Sequence, residues 1–186
     1  MRIVAGSARG RRLVAPPGDR VRPTGDRVRE SVFNALGSLG VLSGAVVVDL
    51  FAGSGALGLE ARSRGASEVH LVERNRDAVA AIRRNIEVTG LSSGVNVIPT
   101  SVSVALAEDG PLASVDASIV LADPPYAHRD WDGLLINVLG RWSGAILVAE
   151  SDRELDAAAL DVATLDDRHV EVRRYGTTVV TFVHPG

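Results

Sequence analysis

The chain has 186 residues, 46% of them apolar, a net charge of −3 and no cysteine. A single domain of this size buries a full core, so a globular fold rather than disorder is the expectation, and the lack of cysteine excludes a disulfide-stapled scaffold. Without thiolates there is no cysteine-held zinc or iron–sulfur centre, hence no cluster-based radical chemistry. Nor is there a thiol nucleophile for covalent attack on a pyrimidine ring.

Asp49 interrupts the most hydrophobic stretch well short of the roughly 18 residues that cross a bilayer. Arg9, Arg11 and Arg12 follow Met1 too closely to leave the apolar core of a secretion signal. The expectation is a soluble cytoplasmic protein. Charge is unevenly spread: residues 1–34 hold eight arginines against Asp19, Asp26 and Glu30, a balance of +5 that leaves −8 for the rest. A basic arm on an acidic body is the asymmetry of a protein that meets phosphates with one face. Every cation is arginine, which suits bidentate phosphate contacts; the alternative is a solvated extension.

In chain order, Ile3–Ala15 reads as two short strands around Ser7–Gly10, a hairpin with arginines near its tip. Pro16, Pro17 and Gly18 break it. A helix starts at Thr24, with Val28, Val32, Ala35 and Leu36 at helical spacing, and Gly37 and Gly40 end it. Strands are then expected at Ala45–Leu50, Glu68–Glu73, Val95–Pro99, Ala117–Ala122 and Ala145–Ala149. Helices at Gly55–Arg64, Asp77–Thr89, Ser101–Glu108 and Trp131–Arg141 separate them. Such alternation calls for an α/β fold, a doubly wound and mostly parallel sheet. His169–Tyr175 and Thr177–Val183, joined at Gly176, read as an antiparallel hairpin added to it, for seven strands in all. The expected organisation is a basic extension over residues 1–23 and a catalytic domain over 24–186.

Gly53, Gly55 and Gly58 satisfy G-x-G-x-x-G between a strand and a helix, and Glu73 ends the next strand where a ribose-binding carboxylate belongs. This pattern alone fits a nicotinamide oxidoreductase as well as a methyltransferase. Asp49, four residues before the first glycine, would repel a pyrophosphate but suits a cationic ligand such as the sulfonium and ammonium of S-adenosylmethionine. Asp49-x-Phe51-x-Gly53-x-Gly55 resembles the first motif of Rossmann-like methyltransferases. That resemblance implies loop-backbone contacts to the methionine part and ribose hydroxyls held by Glu73. The expected cofactor contacts are Asp49, Phe51, Ala52, Gly53, Ser54, Gly55, Leu57, Glu73, Arg74, Ser101 and Asp123. Related enzymes often carry an acidic or amide residue after the third strand to meet the adenine. Here Thr100-Ser101 stands there, so that contact falls to a hydroxyl or to backbone.

The fourth strand runs into Asp123-Pro124-Pro125-Tyr126, at the carboxyl edge beside the glycine loop. These four residues resemble the signature of methyltransferases that modify amino nitrogens of bases. An exocyclic amine is a poor nucleophile because its lone pair is delocalised into the ring. The Asp123 carboxylate and the Pro124 carbonyl can accept its two protons and favour a more pyramidal nitrogen. The prolines stiffen the turn, and the Tyr126 ring can stack on an extruded base.

Arg22–Leu36 resembles the segment that precedes the first motif in the RsmD family, bacterial enzymes that methylate the N2 amino group of one guanine in 16S ribosomal RNA. Arg2–Gly6 with Arg9-Gly10-Arg11, and Arg174–Thr178 near the end, are similar to that family too. The resemblance spans nearly the whole chain and implies ribosomal RNA as partner, within a small-subunit particle, and a monomer without metal. Arg9, Arg11 and Arg12 would grip phosphates, with Arg22 and Arg27 closer to the crevice. His70, His128, His169 and His184 show no metal-ligand spacing; Trp131 and Trp142 read as core, with Trp131 alternatively at the pocket rim. Two other readings keep part of the pattern: a DNA amino-methyltransferase with the same chemistry, and a nicotinamide oxidoreductase, which leaves Asp123–Tyr126 unexplained.

Overall fold

The structure, a computed structural model, describes residues 1–17, 23–125, 128–155 and 168–186. Its strands are β1 Val46–Leu50, β2 Glu68–Val72, β3 Val95–Ile98, β4 Ile119–Ala122, β5 Ile146–Ser151, β6 His169–Tyr175 and β7 Thr178–His184. Its helices are α1 Pro23–Ser38, α2 Ala56–Ser63, α3 Arg76–Thr89, α4 Val102–Ala105 and α5 Trp131–Arg141. The strands form one sheet in the order β3-β2-β1-β4-β5-β7-β6. β1 to β5 are parallel, while β7 runs antiparallel to both of its neighbours.

The central strands are covered on both faces, which is why they read as unbroken apolar runs rather than alternating ones. Val47, Ile119, Leu121, Val148 and Phe182 pack one face against Val28, Val32, Phe33 and Leu36 of α1 and Ile82 of α3. Val48, Leu50, Val120, Ala122 and Leu147 pack the other against Trp131, Leu135 and Leu139 of α5. Both tryptophans are core: Trp131 is buried, and Trp142 Nε1 donates to the Val115 carbonyl at 2.7 Å. Side-chain caps fix the helix starts. Asn75 Oδ1 accepts from the Asp77 and Ala78 amides, and Asp130 Oδ1 from the Gly133 amide. The chain order reverses between β1 and β4, so a crevice opens at the carboxyl ends of those strands.

Two expectations change. The helix expected over Ser101–Glu108 is the single turn Val102–Ala105. Past Ala105 the helical ladder gives out: the Ala107 amide donates to the Val104 carbonyl, one residue short of helical spacing, and Arg141 Nη2 donates to the Leu106 and Ala107 carbonyls beyond it. The expected N-terminal hairpin forms as a short antiparallel pairing about the Arg2–Arg12 bridge, with Ile3 donating to the Arg11 carbonyl, Gly10 to Ile3 and Leu13 to Met1. Beyond that pairing, other amides of the segment turn to α2. Val4 and Ala5 donate to the Glu60 carboxylate at 2.7 and 3.0 Å, and Ala8 donates to Ser63 Oγ at 3.0 Å. Ile3, Ala8 and Leu13 bury against Ala56 and Leu59, so the arm is packed onto the body rather than extended from it.

Candidate active site

The turn leaving β1 contains three residues in the left-handed region: Phe51 at φ 62°, Gly53 at 56° and Gly55 at 78°. Two are glycines, for which this costs little. Phe51 is not, and such a conformation stores on the order of 1 kcal/mol or more in a residue with a Cβ. Glu73, just past β2, secures the turn from beneath: one oxygen accepts from the Gly53 amide and the other from the Asn75 amide, each at 2.8 Å. Gly58 is required by contact. A Cβ there would stand 2.3 Å from Leu71 Cδ2, so only glycine lets α2 lie this close to β2.

Asp49 sits one layer deeper than expected. It is 1% exposed, is absent from the cleft wall, and its Oδ2 accepts from the Gly58 amide at 2.8 Å. Its Oδ1 is buried without a hydrogen-bond partner. Burial pushes its carboxyl up to about 8; the Gly58 amide pulls the other way, and the Asp123 and Glu73 charges push further up. The side chain therefore braces the loop from behind rather than facing the cleft. A cation in front of the loop would favour its ionised form.

A cleft of about 1170 Å³ opens over this turn. Phe51, Ala52, Gly53, Ser54, Leu57, Glu73, Arg74, Ser101, Asp123, Pro124 and Pro125 all reach its wall, so most of the sequence-predicted set converges there. Gly55 does not; it caps α2, its amide donating to the Ala52 carbonyl at 2.6 Å. Ser101 caps α4 through Oγ and keeps its hydroxyl at the wall. Tyr126 and Arg22 lie outside the described residues.

Several residues on the wall were missed by sequence reasoning, His128 and Glu150 among them. The His128 ring lies 5.5 Å from that of Phe51 and 5.3 Å from that of Trp131, and the His128 amide donates to the Pro125 carbonyl at 2.7 Å. Its position two residues past the signature was the available clue. Glu150, on β5 beside the end of β4, reaches the same wall; no motif marks it.

Arg9, Arg11, Arg12 and Arg27 are exposed. Arg27 does not reach the cleft; Gly25, Asp26 and Arg29 present that side of α1 instead. Arg29 is buried, with Nη2 donating to the Arg2 carbonyl at 2.6 Å and to Asp26 at 3.1 Å, and Nε 3.9 Å from Glu60. One of the eight cations counted in the arm is thus internal, neutralised by buried carboxylate. Among the described residues no group of three or more histidines and carboxylates is arranged to hold a metal.

Residues 1–184 match the family described as Conserved hypothetical protein 95. The chain is 40% identical over 161 residues to Ribosomal RNA small subunit methyltransferase D of Escherichia coli, covering 83% of this chain and 76% of that one. The solved structure of the Escherichia coli yhhF protein superposes with a TM-score of 0.81 at 30% identity, covering 100% of this chain and 99% of that one. A Thermus hypothetical protein does so with a TM-score of 0.77 at 32% identity, covering 99% of each.

Proposed function

This chain belongs to the Conserved hypothetical protein 95 family, whose relatives include ribosomal RNA small subunit methyltransferases, and we propose from that premise that it methylates the N2 amino group of a guanine in 16S ribosomal RNA. It is an S-adenosylmethionine-dependent RNA methyltransferase. The observation that carries the finer reading is the meeting of Asp123, Pro124 and the β1 glycine turn in one cleft at the switch point of the sheet.

The cleft suits S-adenosylmethionine. The left-handed turn brings the backbone of Ala52–Ser54 to its wall, Glu73 stands beside it with further lone pairs for ribose hydroxyls, and Ser101 offers a hydroxyl toward the adenine. Behind the turn, the buried Asp49 carboxyl, its Oδ1 unpartnered, ionises more readily when a cation lies in front. Bound there, the cofactor supplies a methyl group on a sulfonium, a leaving group that needs no acid.

The chain's own work is positioning. Asp123 and the Pro124 carbonyl accept the two amine protons and hold the nitrogen lone pair toward the methyl. Contact with Asp123 strengthens as the nitrogen gains positive charge, so it acts mainly in the transition state. Asp123, or water beyond it, takes the proton released after transfer. Arg9, Arg11 and Arg12 grip phosphates around the target, and the substrate is a small-subunit particle met by a monomeric enzyme in the cytoplasm.

The test offers labelled cofactor with small-subunit particles, free ribosomal RNA and duplex DNA. Label in N2-methylguanosine from particles or RNA is expected. Label only in DNA, or thermal protection by NAD but not by S-adenosylhomocysteine, would overturn the reading.

A further inference from the structure

We infer that Glu150 is the residue that selects guanine, by accepting the N1 proton of the base whose N2 amine Asp123 holds. The inference rests on the guanine-N2 reading above and extends it to a residue that reading leaves without a role.

Register places the two carboxylates side by side. β4 and β5 are parallel with Ala122 opposite Ala149, so Asp123 and Glu150 are the next residues on adjacent strands, whose backbones run about 4.8 Å apart. Both continue the alternation of Ile119 and Leu121 on β4 and of Ile146 and Val148 on β5, which share one core layer. They therefore project to the same face of the sheet, beneath the side of α1 that presents Gly25, Asp26 and Arg29 to the cleft. Glu150 is half-buried, its strand also paired to β7 opposite Val180, which fixes its backbone from both sides.

Asp123, Pro124 and Glu150 all reach the cleft wall, and each brings an oxygen acceptor, two carboxylates and a backbone carbonyl. The guanine Watson–Crick edge offers a matching set of donors: two protons on N2 and one on N1. Adenine and cytosine present a ring nitrogen acceptor next to their amine, which a carboxylate repels. A site whose acceptor meets the N1 proton discriminates against a base that puts a lone pair there, because the two lone pairs repel.

The experiment uses the full chain and small-subunit particles whose RNA carries either guanine or 2-aminopurine at the methylated position. 2-Aminopurine keeps the N2 amine but has no N1 proton. Wild type should prefer guanine by about 10- to 100-fold in kcat/KM. E150A should lower the guanine rate by a similar factor and leave the 2-aminopurine rate within about threefold, so that the preference collapses. E150Q, which keeps an acceptor oxygen without the charge, should fall between the two and guards against a folding defect in E150A. S-adenosylhomocysteine affinity should not change in either variant. Equal losses on both bases would make Glu150 merely structural, and an undiminished guanine rate in E150A would remove it from recognition; either result overturns the inference alone. A wild type that leaves guanine unmethylated would overturn the underlying reading, and this inference with it.

Discussion

On the β1–β2 side of the cleft the polar groups are closed upon one another: Glu73 takes two backbone amides, and Asp49 takes a third from within the core. On the β4–β5 side Asp123 is exposed at the sheet edge and Glu150 reaches the wall. The first side shapes a surface out of backbone, holding its carboxylates beneath or behind it. The second side places two carboxylate residues, Asp123 and Glu150, in the cleft wall itself. The difference teaches what each half has to do. A ligand used in every turnover is met by a rigid, preorganised turn, while a base that must be recognised and activated is met by acceptors that gain strength as charge develops.

Breaking the second side should cost most. Asp123→Ala is expected to lower single-turnover methylation by about 10²- to 10⁴-fold while leaving cofactor affinity nearly unchanged. Calorimetry alongside rapid-quench kinetics checks both halves of that statement, and equal losses in each would erase the contrast. Glu73→Ala should do the reverse, costing about 1–3 kcal/mol of cofactor affinity. Part of that loss comes through the Gly53 amide it releases, so amide exchange in the glycine turn should quicken as well.

The arm sharpens the contrast from outside. Replacing Arg9, Arg11 and Arg12 with alanine should flatten the salt dependence of RNA binding by roughly one unit per lost phosphate contact. Cofactor affinity should stay as it was. Titrations at several salt concentrations decide it; identical slopes would make the tip a solvated extension.

The effect at Asp49 is not on methylation or binding and appears as a pH profile of stability. Its carboxyl is raised to about 8 in the folded protein, against an ordinary value near 4 in the unfolded chain. Between those values folding takes up a proton, so stability falls as pH rises and levels off above about 8. Asp49→Asn should flatten that part of a denaturation profile measured from pH 5 to 9. An unchanged profile would mean the buried carboxyl is already ionised.

Much of the architecture was legible because period and punctuation agreed. α5 was bounded at Trp131 and Arg141 as observed, and β6 at His169 and Tyr175. The glycine turn and Asp123 could be placed in one crevice from strand order alone. What could not be read depended on contacts distant in sequence. Nothing local says that Arg141 reaches the carbonyls just past α4, or that Glu60 takes the Val4 and Ala5 amides. Asp49 illustrates the limit within a motif: spacing located the carboxylate near the loop, but only packing decides whether it faces the ligand or the Gly58 amide. Arg29 and Glu60 entered the charge count as surface groups, whereas they meet inside the protein. Glu150 carried no signature, since a lone glutamate at a strand end is ordinary until its neighbour across the ladder is known.

The arm's attachment bears on how the chain acquires its shape. Its ties to Glu60, Ser63 and Asn85 span 55 to 71 residues of sequence. Gly6, at φ 83°, lies so close to α2 that an added Cβ would meet the Ser63 carbonyl at 1.8 Å. Residues 3–14 are therefore synthesised well before anything they can rest on. They gain most of their hydrogen bonds only after α2 and α3 have been made and seated, because closing so long a loop is slow until its ends have partners. The segment that leaves the ribosome ahead of the rest of this domain is thus among the last to become ordered. In a pulse of deuterium during refolding, its amides should remain unprotected until those of β1 and β2 are already shielded.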